Sequence, residues 1–186
     1  MKVIQTGIEG LVVVEPKVFG DARGFFMETY SERAFRELGL PTNFVQDNFS
    51  QSRKGALRGL HFQNPRPQGK LVRVTRGAVW DVAVDLRRDS PTFGRHFGLE
   101  LSAENRLSFY VPEGFGHGFL TLSEVADFQY KCTDLYFPEH DVGVAWNDPE
   151  LKVEWPLDRV GGSPILSAKD SALRSLRQLR EQNLLF

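Results

Sequence analysis

Residues 78–86, Ala-Val-Trp-Asp-Val-Ala-Val-Asp-Leu, alternate with a period of two. Trp80, Val82, Val84 and Leu86 fall on one side of a pleated strand, with Asp81 and Asp85 on the other. The same β-rich character fills most of the chain. Strands are predicted at residues 11–14, 24–30, 43–50, 57–63, 69–76, 95–101, 107–111, 117–122, 125–133 and 142–146. With 17 Gly and 10 Pro punctuating these runs, an all-β, mainly antiparallel sandwich or barrel is the expected architecture. Gly77 between residues 69–76 and 78–86 reads as the turn of a hairpin.

Two helices are expected within this β framework. Ser31 can cap a helix over residues 32–38, closed by Gly39 and Pro41. Ser167-Ala168-Lys169-Asp170 has the form of a helix start, and Leu173, Leu176 and Leu179 continue at helical spacing. The 186 residues, 41% of them hydrophobic, suffice for one substantial core, so a single domain over residues 1–186 is expected.

Charge and cysteine content exclude several classes. The formal net charge is -1, from 23 basic and 24 acidic side chains, so no nucleic-acid surface is indicated. A local cationic cluster could still hold a small phosphorylated ligand. The single cysteine, Cys132, rules out an internal disulfide framework and fits a reducing cytoplasm. The first residues lack the apolar run of a signal peptide, and no stretch approaches the roughly 20 apolar residues of a membrane span. A cytoplasmic protein without membrane association is expected.

Chemistry concentrates in Arg58-Gly59-Leu60-His61-Phe62-Gln63 and, seven residues on, Lys70. Histidine is the side chain most easily set as a proton acceptor near neutral pH, and flanking cations suit an anion that forms during reaction. On composition alone, a hydrogen-bonded strand histidine between two surface cations is the preferred explanation. The pleat puts Leu57, Gly59, His61 and Gln63 on one face. It turns Lys70, Val72 and Val74 inward, and groups Phe128, Tyr130 and Cys132 on another shared face. Tyr130 is thus a candidate interior phenol, either catalytic or a core tyrosine with its hydroxyl satisfied.

Gly55 to His61, with Pro112-Glu113-Gly114-Phe115-Gly116-His117 much later, resembles the paired motifs of the cupin superfamily and so implies a jelly-roll barrel. Metal-binding cupins carry His-x-His and a downstream glutamate in the first motif. Here the second histidine position is Gln63, and residues 64–69 contain no acid. A barrel without metal or other cofactor is expected.

A more specific likeness follows from five motifs in order. They are Phe19-Gly20-Asp21-Ala22-Arg23-Gly24-Phe25-Phe26, Gln46-Asp47-Asn48, Arg58-Gly59-Leu60-His61-Phe62-Gln63, Pro112-Glu113-Gly114-Phe115-Gly116-His117-Gly118-Phe119 and Ser167-Ala168-Lys169-Asp170. Together they resemble the dTDP-4-dehydrorhamnose 3,5-epimerase family across nearly the whole chain. The resemblance implies inversion of the two carbons beside the ketone of dTDP-4-dehydro-6-deoxy-D-glucose, giving dTDP-4-dehydro-L-rhamnose. It implies His61 as base, Asp170 behind it, Lys70 beside the developing oxyanion, and Tyr130 as proton donor on the opposite face. It also implies that Arg23, Glu28, Gln46, Asn48, Arg58, His117 and Lys169 bind the sugar nucleotide, with Tyr136 stacked on thymine. Asp141 stands where the family usually has glutamate, which shortens that contact's reach. On residues alone, Asp170 reads first as a helix cap, and the two roles are compatible.

The family's members are homodimers whose N-terminal strands cross to the partner, so Arg23 and Glu28 are expected to serve the second copy's pocket. Two other functions remain open at this point. One is a relative that inverts a single carbon; the other is a barrel that binds a nucleotide sugar without reacting it.

Overall fold

The computed structural model describes residues 1–186. In chain order the first strands are β1 (Lys2–Gln5), β2 (Val12–Glu15), β3 (Val18–Asp21), β4 (Gly24–Met27), β5 (Gln46–Arg53), β6 (Leu57–Gln63) and β7 (Lys70–Arg76). Then come β8 (Ala78–Asp85), β9 (His96–Ser102), β10 (Ser108–Val111), β11 (Phe115–Thr121), β12 (Val125–Cys132) and β13 (Asp141–Gly143). Six strands form one sheet in the order β1-β2-β10-β7-β12-β5, and five form a second in the order β13-β6-β11-β8-β9. Every pairing within these sheets is antiparallel. The expected all-β jelly roll is what the chain forms. No helix is long and apolar enough to cross a membrane.

The main core lies between the two sheets. Val72, Val74, Phe109 and Phe128 from the six-stranded sheet meet Val79, Ala83, Leu101 and Phe119 from the five-stranded one. Val72 and Val74 therefore face inward, as the pleat predicts, and Lys70 follows them by parity. β8 is buried on both faces. Val82, Val84 and Leu86 turn outward, where Leu176, Leu179 and Leu185 of the C-terminal segment cover them. Its inner face carries Asp81, which is fully buried.

The expected hairpin at Gly77 does not form. β7 pairs with β10 and β12, whereas β8 pairs with β9 and β11. Gly77 instead carries the chain from one sheet to the other. It has φ +72°, and a Cβ there would sit 2.1 Å from the Val125 carbonyl oxygen. Short-range turn chemistry favours glycine in either arrangement, so the signal could not say which sheet follows.

Helix α1 (Glu32–Glu37) is capped by Ser31, whose side chain accepts from the Ala34 amide. Its buried Phe35 packs on the outside of the six-stranded sheet against Val12, Val14, Leu71 and Tyr110. The single C-terminal helix suggested by the leucine spacing is divided into α2 (Ala168–Ser171) and α3 (Leu176–Glu181). Between them Arg174 forms a parallel bridge to Val144, and Ser175 restarts the helix with a full capping box on Gln178. The aromatic run at 24–30 is strand only through Met27, and β5 begins at Gln46 rather than 43. The strand expected over 142–146 covers only Asp141–Gly143. β1 and β3, both short and largely exposed, lie outside the expected set.

Candidate active site

A cavity of about 350 Å³ opens between the sheets at one end of the barrel. His61, Asp170, Lys70, Tyr130, Arg58, His117, Tyr136, Asp141 and Lys169 all line it. His61 on β6 stands directly across the ladder from His117 on β11. This adjacency depends on two glycines. A Cβ at Gly59 would lie 2.7 Å from Gly118 Cα, and one at Gly118 would lie 2.5 Å from the Arg58 carbonyl oxygen. The register slips between His117 and Phe119. Arg58 and His61 consequently both reach the cavity although they are three residues apart, while Leu57 packs elsewhere with Leu120 and Leu122. The simple alternation from Leu57 to Gln63 is broken at that point.

Asp170 is almost wholly buried at the start of α2. Its Oδ1 lies 2.7 Å from His61 Nε2 and accepts from the Gly59 amide at 3.2 Å. Its Oδ2 accepts from Ser167 Oγ at 2.6 Å, and Ser167 also caps the helix by accepting from the Asp170 amide. Capping and support of the histidine thus coexist in one Ser-x-x-Asp turn. Burial alone would raise the Asp170 carboxyl, but contacts from His61, Ser167 and Gly59 outweigh it and hold the group down at about 2. The His61–Asp170 separation is that of a close ion pair, although the imidazole is not aligned along an ideal hydrogen-bond direction. Pairs of this kind often straighten only when substrate is bound. No protein group bonds His61 Nδ1, leaving that nitrogen available to a ligand.

The opposite wall belongs to the six-stranded sheet. Tyr130 on β12 lies opposite Val72, and Cys132 lies opposite Lys70, so phenol and ammonium are diagonal neighbours on β12 and β7. Desolvation raises the Tyr130 phenol, with Cys132 and Asp141 adding to it and Arg58 opposing. Desolvation lowers the Lys70 ammonium, and the charges of Cys132, Asp141 and Asp81 work against that. Lys70 makes no salt bridge, so its charge is not neutralised by a direct partner. Phe128 sits between the walls, its ring centroid 6.2 Å from His117 and 6.1 Å from Tyr130.

Beneath His117 lies a second histidine–aspartate pair, with Nε2 at 2.9 and 3.1 Å from the two Asp81 oxygens. Burial raises the Asp81 carboxyl, while His117 and Lys70 oppose the shift. Asp81 was not among the residues expected at the site. Its signal was faint: one of two acids, with Asp85, on the inward parity of an otherwise apolar strand.

At the rim, Tyr136 Oη donates to Asp141 Oδ2 at 2.7 Å, and Lys169 pairs with the same carboxylate. The carboxylate pushes the Tyr136 phenol up to about 12. Arg58 Nε donates to Ser52 Oγ at 2.9 Å. Gln46 and Asn48 do not line the cavity itself. Gln46 accepts from the Tyr136 amide at 2.9 Å and donates to Asn48 at 3.0 Å. Arg23 and Glu28 are not brought to this cavity. Arg23 lies on the separate β3–β4 ribbon, paired with Asp21 in solvent, and Glu28 directly follows that ribbon. No group of three or more His, Cys, Asp or Glu side chains is arranged to hold a metal ion.

Residues 5–178 match the family model described as dTDP-4-dehydrorhamnose 3,5-epimerase. The chain is 56% identical over 171 residues to the dTDP-4-dehydrorhamnose 3,5-epimerase of Pseudomonas aeruginosa, covering 91% of this chain and 93% of that protein. It is 53% identical over 175 residues to the enzyme of that name from Methanothermobacter thermautotrophicus, covering 94% of each. The crystal structure of dTDP-6-deoxy-D-glucose-3,5-epimerase from Legionella pneumophila, in complex with dTDP-4-keto-L-rhamnose, superposes with a TM-score of 0.93 at 50% identity, over 99% of this chain and 96% of that one.

Proposed function

The chain belongs to the dTDP-4-dehydrorhamnose 3,5-epimerase family, and from that membership we propose that it converts dTDP-4-dehydro-6-deoxy-D-glucose to dTDP-4-dehydro-L-rhamnose, a step of L-rhamnose biosynthesis. Both inverted carbons, C3 and C5, flank the C4 ketone, so one chemistry applied twice accounts for the product. A base removes the proton beside the carbonyl, and the C–H electron pair moves into the ring to leave an enolate oxygen. A proton delivered from the opposite face then forms a new C–H bond with inverted configuration.

His61 is the base, acting through Nδ1. Asp170 behind Nε2 orients the ring and stabilises the imidazolium, as an aspartate does behind a catalytic histidine in hydrolases. Lys70 stabilises the oxyanion electrostatically in a partly desolvated setting, where charge interactions are stronger than in water. Tyr130 returns the proton, and its raised affinity for that proton keeps it protonated until a carbanionic carbon is presented. His117 contacts the sugar. Arg58, Lys169, Gln46, Asn48 and Tyr136 hold the nucleotide, the arginine suited to a diphosphate by its planar fork. Asp141 ties Tyr136 to Lys169 at that end. We also propose a cytoplasmic homodimer in which Arg23 and Glu28 reach the second copy's pocket.

The observation that carries this reading is that His61 and Tyr130 face one cavity from different sheets, with Lys70 beside them. Binding alone gives no reason for such an acid–base pair. The test is NMR of the sugar during turnover in D2O. Deuterium at both C3 and C5, with inversion at both, is the expected result. Inversion at one carbon would make the protein a single-site epimerase, and binding without any exchange would make it a non-catalytic barrel.

A further inference from the structure

Gln63 occupies the position that carries a second histidine in metal-binding cupins, and the proposed reaction gives it no part. It is 3% exposed and lines the cavity. Its amide is fully engaged, with two of its three hydrogen bonds going to the segment that presents Tyr136. Nε2 donates to the Leu135 carbonyl at 3.1 Å and to the Arg66 carbonyl at 2.9 Å, while Oε1 accepts from the Phe137 amide at 2.7 Å. One side chain therefore grips the backbone on both sides of Tyr136. Residues 135–137 have no regular secondary structure. None of their three amide N–H groups bonds to backbone: Leu135 uses Asp134 Oδ1, Tyr136 uses Gln46, and Phe137 uses Gln63. Apart from the Phe137 carbonyl, which accepts from the His140 amide, the segment is held by side chains and takes its conformation from them. β13 adds a further link, because Asp141, which accepts the Tyr136 hydroxyl, pairs in register with Gln63 itself.

We propose that Gln63 is a positioning residue that fixes the Tyr136 ring against the nucleotide base and thereby sustains the protein's affinity for the base end of the ligand. This rests on the reading of Tyr136 as the base-stacking residue. Stacking on an aromatic ring is sensitive to the placement of its plane, whereas charge attraction to a diphosphate is not. Loss of the grip should weaken recognition of the base and leave recognition of the phosphates alone.

Gln63→Met keeps the volume and removes the amide. Titration calorimetry with dTDP and with inorganic pyrophosphate reads the two ends of the ligand separately. The expected result is a dTDP Kd raised about tenfold with the pyrophosphate Kd changed by less than about twofold, since stacking carries base affinity. In turnover, KM should rise by a similar factor with kcat nearly unchanged. Unchanged dTDP affinity, or equal weakening of both ligands in a folded variant, overturns the proposal. Should Gln63→Met lose its cooperative melting transition, Gln63→Asn is judged by the same ratio, because it keeps an amide but withdraws it by one methylene. Tyr136→Ala separates this inference from the reading beneath it. If that variant binds dTDP as tightly as wild type, the base-stacking reading falls and the role of Gln63 with it. If it weakens dTDP while Gln63→Met does not, only the role of Gln63 falls.

Discussion

At the floor of the cavity one imidazole holds a wholly buried carboxylate. Asp81 accepts only from His117 Nε2, so the pair favours the tautomer with its proton on Nε2 and leaves Nδ1 for the proposed contact with the sugar. Asp81→Asn preserves the shape, but its amide can turn a donor toward Nε2 and favour the other tautomer. The expected outcome is a kcat lowered about 10- to 100-fold, the usual cost of removing an orienting partner, with dTDP affinity unchanged because the nucleotide contacts lie at the rim. Steady-state kinetics together with calorimetry check this, and a kcat within about twofold of wild type would sink it. Asp81 also marks how far single residues can be read from sequence. Lys70 and Tyr130 were legible because each sits on a strand whose apolar neighbours reveal the inward parity, whereas His61 stands out by residue type between cations and takes its role from the family motifs. Asp81 has the same parity, but its partner lies 36 residues away on another strand, and no local pattern encodes that pairing. Arg58 was assigned through family motifs alone, since the slip beside Gly118 reverses the face that alternation assigns to it.

Asp85 plays for the β8–β9 connection the part that Gln63 plays for the Tyr136 segment. It is fully buried, and its Oδ1 accepts from the Arg87 amide and Nε while its Oδ2 accepts from Arg87 Nη2, Ser90 Oγ and Thr92 Oγ1 at 2.6–3.0 Å. Burial would raise this carboxyl, yet the donors win and hold it at about 2 against an ordinary 3.8. A carboxyl depressed on folding contributes stability that is complete above pH 3.8 and disappears as pH falls toward 2. The gap corresponds to about 2 kcal/mol. Asp85→Asn should lower the unfolding free energy near pH 7 by about 1–3 kcal/mol, because one oxygen becomes a donor facing donors. The variant should also lose its share of the acid-dependent decline below pH 3.8. Urea unfolding at pH 7 and pH 3 measures both, and an unaltered midpoint at pH 7 would contradict the assignment. Element identity was otherwise readable where one face decides it, as in β7 and β12. Element pairing was not. Gly77 fits a hairpin and a sheet-to-sheet crossing equally well, and leucines at 173, 176 and 179 fit a helix until the Arg174–Val144 bridge takes the middle out of it.

For the molecule as a whole, the β3–β4 ribbon is the part that one chain leaves unexplained. It pairs with neither barrel sheet, and an isolated two-stranded ribbon is marginal in water. It nevertheless presents Phe19, Phe25 and Phe26 at 53%, 54% and 69% exposure, with Arg23 between them. Inside the chain two of these rings meet cations, Lys17 over Phe19 at 4.9 Å and Arg106 over Phe25 at 4.3 Å. Clustered exposed aromatics are typical of an interaction surface. A second copy, with the ribbon laid against its barrel, would bury the rings and carry Arg23 and Glu28 toward a pocket that lacks them in the single chain. Phe26→Glu puts a charge into that contact without touching the cavity or its own barrel core. The expected outcome is conversion from dimer to monomer in light scattering at micromolar concentration, with kcat/KM down at least about tenfold as the charged contacts to substrate are lost. Circular dichroism should show the barrel intact, because neither sheet packs on Phe26. A wild-type protein that is monomeric and fully active would remove both the dimer and the shared-pocket role of Arg23 and Glu28. A dimeric Phe26→Glu with undiminished activity would leave the dimer standing and move its interface off the ribbon.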